Sequence, residues 1–598
     1  MQRRKKVTSP QSKVGSSGIS SSSTGRTTKR SKKRRSSLSK TVDYIVGIFL
    51  LIVFGSFMYQ YGVLNAEISN KNQRLVKSAT DEVKSLEDVA IKSFNAIKSA
   101  SHLRSANANS NINGNGYDMS HLEPRAPHLP IFPVIPNSEQ LIKDVLRGYK
   151  PTMAGIIALL QKFLSELHDR NMELAAKRAD GDEIIQAFFK IAKKHLVPFD
   201  QAYRNKPIFP IREDGSIFLS LASFREHLLA DTLIYAFDNA KNPDKLFVGA
   251  VIQNCFGKVL PDGSIDPSGT PCKTGAQVIG KNKQGRDMTK VSDAPIDKNG
   301  VEDFCNNPKY KKYCDAGQIR VVYVHETESL GPAMARYYAS KLWGGETYFV
   351  QTDSHFQFAV EWDDKYIQEV KATKNYPKSI LSSYPPGFNP GNGNTVRETP
   401  GAKLCFCETN PRDPNPIIRI NSGSSYRGGE DHPTQIPFVA AGFFFARAEF
   451  LVDMPFDPFI PWCFMGEEIA LSLRSWTHGW NIYAPRKNLI AHQYRPGRMG
   501  LPKFWGSVGR LYGRPGMNNK LQVPLIKRLK HLAGYPDATL DKMISNGLEY
   551  VLIDMEHYGV GHERSLAEYM EFAGISVDEE HDALKCSPIS WCSIGTLA

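Results

Sequence analysis

The spacing of apolar positions changes once along the chain. Between Asn137 and residue 205 apolar side chains recur at i, i+3 and i+4 in "NSEQLIKDVLRGY", "MAGIIALLQKFLSELHDRNMELAAKRA" and "DEIIQAFFKIAKKHLV", which predicts three amphipathic helices. Asn137 followed by Gln140 predicts a start like a capping box for the first of them. From residue 217 short runs of β-branched and aromatic residues take over: "IFLSLASF", "LFVGAVIQN", "IRVVYVHE" and "TYFVQTD". Helix-like stretches, "REHLLADTLIYAFDNA" and "GPAMARYYASKLW", lie between them, with a Gly-, Pro- and Lys-rich loop over residues 257–316. Strands alternating with helices imply βαβ units and a mostly parallel sheet of an α/β protein, with ligand groups at the carboxyl ends of the strands. Further on, "IPFVAAGFFFARAEF" predicts an apolar strand with a glycine hinge, followed by a loop and a helix opening at Gly466. Residues 516–598 return to helical spacing and are expected to pack on the catalytic unit.

Charge changes the picture only at the N-terminus. Thirteen Lys and Arg and no acid precede Asp43, so nearly all of the formal charge of +14 sits there and the remainder is close to neutral. That Ser-rich tail lacks the apolar side chains for a core and is expected to be disordered. It ends at "YIVGIFLLIVFGSFMYQYGVL", 21 residues from Tyr44 to Leu64 without a charge, long enough to cross a bilayer as a helix. Positive charge on one flank places the tail in the cytosol and all that follows across the membrane, a type II arrangement. The same location argues against a nucleic-acid partner, since the cations precede the span. The reading divides the chain into a tail (1–43), an anchor (44–64), a stem and linker (65–136), a helical subdomain (137–205), a catalytic domain (206–515) and a C-terminal helical extension (516–598). All nine cysteines lie beyond the span, where a secretory lumen allows disulfides. Spacing does not fix their pairing and the odd count leaves at least one over. Local bridges are expected in the loop holding Cys272, Cys305 and Cys314.

The chemistry is expected where the strand "YFVQTD" ends. Alternate residues of a strand share a face, so Asp353 and His355 point together while Ser354 points away, and the pair can hold one ion. A short D-x-H is more often two solvated residues at a strand end, and its surroundings have to decide. The acids Glu467 and Glu468 open the helix after Gly466, where favourable interaction with the helix dipole is one sufficient reason for them.

In order along the chain, "SLASFR", "GPAMAR", "QTDSHFQF", "MGEEIALSLRSWTHGW" with "HQYRP", and the late "GHERSLAEYMEFAGI" resemble the polypeptide N-acetylglucosaminyltransferases that modify hydroxyproline or threonine, glycosyltransferase family 60. The resemblance covers residues 217–515 and 561–575. The D-S-H also resembles the metal motif of the mucin-type polypeptide GalNAc-transferases, whose Gly-Glu-Asn helix and late His correspond to Gly466-Glu467-Glu468 and His492. The resemblance implies a GT-A fold, a divalent cation (usually manganese), a UDP-sugar donor and retention of the anomeric configuration. Two departures stand: the usual D-x-D is D-x-H here, and the chain before residue 217 has no counterpart.

The roles carried over follow from that likeness. Asp353, His355 and His492 are expected to hold the metal. Ser223 and Arg225 at the end of the first strand, Arg336 in "GPAMAR" and Asp353 are expected to face the nucleotide or its diphosphate. Either arginine could instead be an ion-pair partner, because its fork suits carboxylate as well as phosphate. Glu467, with Glu468 as its neighbour, is expected to meet sugar hydroxyls or the acceptor. Trp462 and Trp476 could floor an acceptor groove or simply fill the core. The expected activity is transfer of N-acetylglucosamine from UDP-GlcNAc to a Thr, Ser or hydroxyproline hydroxyl of a polypeptide, in the Golgi. Another UDP-hexose or UDP-GalNAc as donor, and a catalytically silent lumenal lectin or scaffold, are the rivals.

Overall fold

The computed structural model describes residues 134–257, 272–281, 287–294, 296–389, 396–409, 416–428, 430–494, 501–512, 516–589 and 591–592. The tail, the proposed anchor and nearly all of the stem lie outside the described residues. Among the described residues no helix is long and apolar enough to cross a membrane.

Three helices come first, α1 (Ser138–Leu146), α2 (Met153–Ala176) and α3 (Gly181–Ala202). α2 and α3 start where side-chain oxygens satisfy free N–H groups: Thr152 Oγ1 accepts from Gly155 N at 3.0 Å and Asp180 Oδ1 from Glu183 N at 2.9 Å. The capping box expected at α1 is absent. Asn137 sits in the left-handed region (φ 57°) and its side chain caps nothing, a backbone state that Asn tolerates better than most residues. The apolar faces of α2 and α3 close on the rest of the chain through aromatic contacts, Phe163 with Tyr338 at 6.0 Å and Phe188 with Trp462 at 5.9 Å between ring centroids. A buried cluster reinforces the joint: Asp200 on α3 accepts from Lys341 Nζ at 2.6 Å and Tyr337 OH at 2.8 Å.

The centre is an eight-stranded sheet. Its strands are β1 (Ile217–Phe224), β2 (Leu246–Asn254), β3 (Ile319–His325), β4 (Tyr348–Asp353), β5 (Ser379–Ser382), β6 (Thr434–Gln435), β7 (Phe443–Arg447) and β8 (Asn481–Ala484). They lie in the order β6-β8-β5-β7-β4-β1-β2-β3. β4, β1, β2 and β3 form a continuous parallel block, and β5 pairs parallel with β8. Only β7 and the two-residue β6 run against their neighbours. The strand runs are apolar over most of their length because both faces are covered. Phe218, Val251, Val322 and Phe349 join one core with α2 and α3, while Leu219, Leu221, Val248 and Val350 join the other. α4 (Leu229–Asp238) and α6 (Trp362–Lys371) cover that second face, and α5 (Pro332–Ser340) covers the first.

Two segments differ from the sequence reading. The stretch read as a loop over 257–316 contains an antiparallel hairpin, Cys272–Lys281 with Asp287–Ala294, and helices at Gly300–Asn306 and Lys311–Asp315. The segment from 516 onward contains not only helices but also a hairpin, Ile575–Asp578 with Ala583–Cys586. Its last cysteines are bonded to the central part of the chain, Cys592 to Cys405 and Cys586 to Cys407. The local bridges expected around residue 300 are Cys255–Cys272 and Cys305–Cys314. Cys463 is the cysteine left over, and it is buried.

Candidate active site

Register brings the candidate residues to one edge of the sheet. Ala222 near the end of β1 lies opposite Asp353 at the end of β4, and antiparallel β7 begins beside them, with Phe443 opposite Thr352. Asp353 N donates to Gly442 O at 3.3 Å. A Cβ on Gly442 would stand 3.3 Å from Asp353 Oδ2, so glycine there leaves the carboxylate its room. After Asp353 the chain bends through Ser354 and His355. The bend is anchored from below by Ser354 Oγ, which donates to Ala222 O at 3.3 Å, and by Thr232 Oγ1, which donates to Ser354 O at 3.1 Å. The chain then resumes as the short strand Phe356–Phe358, paired antiparallel with Ile490–His492 so that His492 faces Phe356. Gln493 N donates to His355 O at 3.1 Å. This pairing carries His492 across 137 residues to the D-x-H.

The three side chains converge. His492 Nε2 lies 3.3 Å from Asp353 Oδ2 and 2.9 Å from His355 Nε2, and one donor atom from each of the three lies within 4.8 Å of the others. Two donors at right angles, each about 2.1 Å from one cation, stand about 3.0 Å apart, so these spacings fit a shared divalent ion. The donor set, one carboxylate oxygen and two imidazole nitrogens, suits a transition ion better than calcium. Cys255, His325 and Glu326 also lie close together, but the Cys255 sulfur is spent in its disulfide and offers no thiolate.

The cluster's electrostatics follow from its neighbours. Burial alone would push the Asp353 carboxyl up, yet the hydrogen bond from His492 and the charge of Arg336 outweigh it and hold Asp353 well below the usual carboxylate range. Burial pushes His355 down against the pull of Asp353, which favours the neutral imidazole, the form that binds a metal. Arg336, on α5 and buried, donates from Nη2 to Asp353 Oδ1 at 2.9 Å and from Nη1 to Glu467 Oε2.

Glu467 opens α7 (Glu467–Thr477) after Gly466, whose φ of 90° and whose missing Cβ, 2.7 Å from Ile417 Cδ1, both call for glycine. Glu467 is buried and its Oε1 has no hydrogen-bond partner among the described residues. Burial raises its carboxyl pKa, with Arg336 opposing. Glu468 is held separately: Tyr384 OH donates to both its oxygens at 2.9 Å and Ala441 N to Oε1 at 3.1 Å. Burial, opposed by those donors, pushes its carboxyl up to about 7.

Asp353, His355, His492, Arg336 and Glu467 are therefore one connected group. The remaining expected residues are placed differently. Ser223 is buried at the end of β1 and its Oγ lacks a partner among the described residues. The guanidinium of Arg225 is turned to Asp297, with Nε 2.6 Å from Oδ2 and Nη2 3.2 Å from Oδ1; of the two readings open for it, the ion pair is what the structure holds. Trp462 and Trp476 are core residues at 2% and 7% exposure. Sequence reasoning passed over Glu226, whose Oε2 lies 3.0 Å from His355 Nδ1, and Tyr384. Their only sequence signal was position, Glu226 standing immediately after "SLASFR".

A buried arginine, two acids and two imidazoles are gathered at the carboxyl edge of a mainly parallel sheet, the edge where open α/β sheets commonly bind ligands. Residues 216–579 match the family model described as Glycosyltransferase (GlcNAc), and the chain belongs to that family. The match continues past residue 516 as far as residue 579. No curated protein matches the chain. Among solved structures, it is similar to GalNAc-T7 with UDP, GalNAc and Mn2+ at 14% identity and a TM-score of 0.34, over 60% of this chain and 56% of that one. It is also similar to S. aureus TarS 1-349 in complex with UDP-GlcNAc at 12% identity and a TM-score of 0.27, over 63% of this chain and 97% of that one. The chain thus spans little more than half the length of GalNAc-T7.

Proposed function

We propose that this glycosyltransferase has a GT-A fold and moves N-acetylglucosamine, with retention, from UDP-GlcNAc to a hydroxyl of a polypeptide, with a divalent cation, manganese first, held by Asp353, His355 and His492. The observation that carries the metal reading is the convergence of those three donors at the sheet edge. When bound, the cation would neutralise charge developing on the diphosphate leaving group. Arg336 fixes one oxygen of Asp353 and leaves Oδ2 turned to His492. It also holds Glu467 by a single oxygen, so that Oε1 is free to accept from a sugar or acceptor hydroxyl. A buried acceptor without a partner is costly unless a ligand or water meets it, and this supports placing the substrate beside Glu467. The family description supports N-acetylglucosamine as the sugar. The uncharged run from Tyr44 to Leu64 behind a basic tail supports a Golgi type II protein whose acceptors are Thr or Ser of secreted or surface chains.

The test uses the full-length chain with a panel of UDP-sugars, with and without Mn2+, against peptides carrying Thr, Ser or hydroxyproline. Sugar transfer that requires UDP-GlcNAc and the cation is expected. Transfer from UDP-GalNAc or another UDP-hexose in preference, or transfer unchanged by chelation, overturns the assignment of donor or metal respectively. Failure to bind UDP at all would favour the silent lectin.

A further inference from the structure

The metal-site residues account for one end of His355 only. Its Nε2 points to His492, and its other nitrogen, Nδ1, meets Glu226 Oε2 at 3.0 Å. Glu226 is 5% exposed and stands two residues beyond β1, whose end runs beside the end of β4. Its second oxygen is also in use: Oε1 accepts from Leu228 N at 2.8 Å and lies 3.5 Å from His227 Nδ1. The carboxylate is thereby locked in place by the turn that leads from β1 into α4. A carboxylate can only accept from an imidazole, so the proton of His355 is placed on Nδ1 and the lone pair on Nε2, the atom turned toward Asp353 and His492.

We propose that Glu226 is a positioning residue for the metal site: it fixes the tautomer and ring orientation of His355 and raises the basicity of its Nε2. The inference rests on the reading of Asp353, His355 and His492 as metal ligands. Carboxylates behind a ligating imidazole typically account for 10–100-fold in metal affinity. The position is also economical, because the same strand end, β1, sits next to the strand that supplies Asp353. A displacement of that turn would move the imidazole with it.

The test is Mn2+ affinity itself, measured on the full-length chain by titration with electron paramagnetic resonance of the free ion, without donor or acceptor. Glu226→Ala is expected to weaken Mn2+ binding about 10–100-fold. Glu226→Gln has the same shape but one acceptor oxygen for two N–H donors, and is expected to weaken it less. A second comparison separates this role from mere support of the turn at Leu228: in a His355→Ala background, Glu226→Ala should add less than about twofold, since the two residues act as a unit. Wild-type affinity in both Glu226 variants overturns the inference, and so does a loss that is as large in the His355→Ala background as in the wild type. Absence of Mn2+ binding to the wild-type chain would instead overturn the metal reading on which the inference stands.

Discussion

Arg336 Nη2 donates to Asp353 Oδ1 at 2.9 Å, and Nη1 of the same guanidinium reaches Glu467, so one buried side chain sets the spacing between two carboxylates carried by a strand end and a helix start. Burial works against the guanidinium's charge, but the two acids outweigh it and keep it protonated. Removing it strands Glu467 in the interior without a counter-charge. Arg336→Ala is therefore expected to destabilise the fold by about 3–5 kcal/mol and to lower turnover. Arg336→Lys, a point charge without a fork, should rescue part of the stability but not the paired geometry. Urea denaturation read beside sugar transfer checks this; a wild-type unfolding midpoint for Arg336→Ala would refute the bridging role.

Asp353→Asn keeps the volume of the side chain and removes its charge. Cooperative unfolding should persist while cation-dependent transfer falls by at least about 100-fold, as expected when charge stabilisation at the reacting centre is lost. Chelation of the wild type should give the same loss, reversed by Mn2+ in the wild type and not in the variant. Rescue of both by added Mn2+ would show that the carboxylate is dispensable.

Two of the three converging donors were readable in the sequence for a simple reason. Asp353 and His355 are two residues apart at the end of an apolar strand, and a period of two is a local property. His492 is not local to them; only the pairing of Ile490–His492 with Phe356–Phe358 delivers it, and in the sequence only a family resemblance pointed to it. Glu226 reaches His355 across 129 residues, and its only mark in the sequence was its place after "SLASFR". The Arg225 ion pair is non-local in the same way: Asp297, brought back by the long excursion after β2, meets its guanidinium. The four parallel strands β1 to β4 were legible because each is buried on both faces and so is apolar over most of its length. Hairpins such as Ile575–Asp578 with Ala583–Cys586 escaped notice because the burial pattern of Ile575–Asp578 gives a single buried residue, too short a signal to show a period.

The disulfides Cys405–Cys592 and Cys407–Cys586 close loops of 187 and 179 residues that nearly coincide. In the chain-entropy account the first bridge restricts the unfolded chain by on the order of 5 kcal/mol, and the second, which then closes only a short residual loop, by about 3 kcal/mol. Replacing one pair by serine should therefore cost about 3 kcal/mol, and replacing both pairs should cost more than twice as much. Thermal melts of the two paired-serine variants and of the four-serine variant measure this. Additive losses would mean that each bridge stabilises mainly through its own local packing.

Glu468 supplies a pH test. Its carboxyl is pushed from an ordinary 4.5 up to about 7, chiefly by burial. Between those values the folded chain keeps a proton that the unfolded chain has already released, so this group's contribution to stability is complete below about pH 4.5 and is lost as pH rises through about 7. Each unit of such a shift is worth about 1.4 kcal/mol. Glu468→Gln cannot titrate, and its oxygen can still accept from Tyr384 or Ala441. The variant's absolute stability can differ from the wild type in either direction, but its slope against pH should flatten in that window. Denaturation midpoints collected from pH 5 to pH 8 should thus fall more steeply in the wild type than in Glu468→Gln, and parallel curves would show that the carboxyl is already ionised at pH 5 in the folded protein.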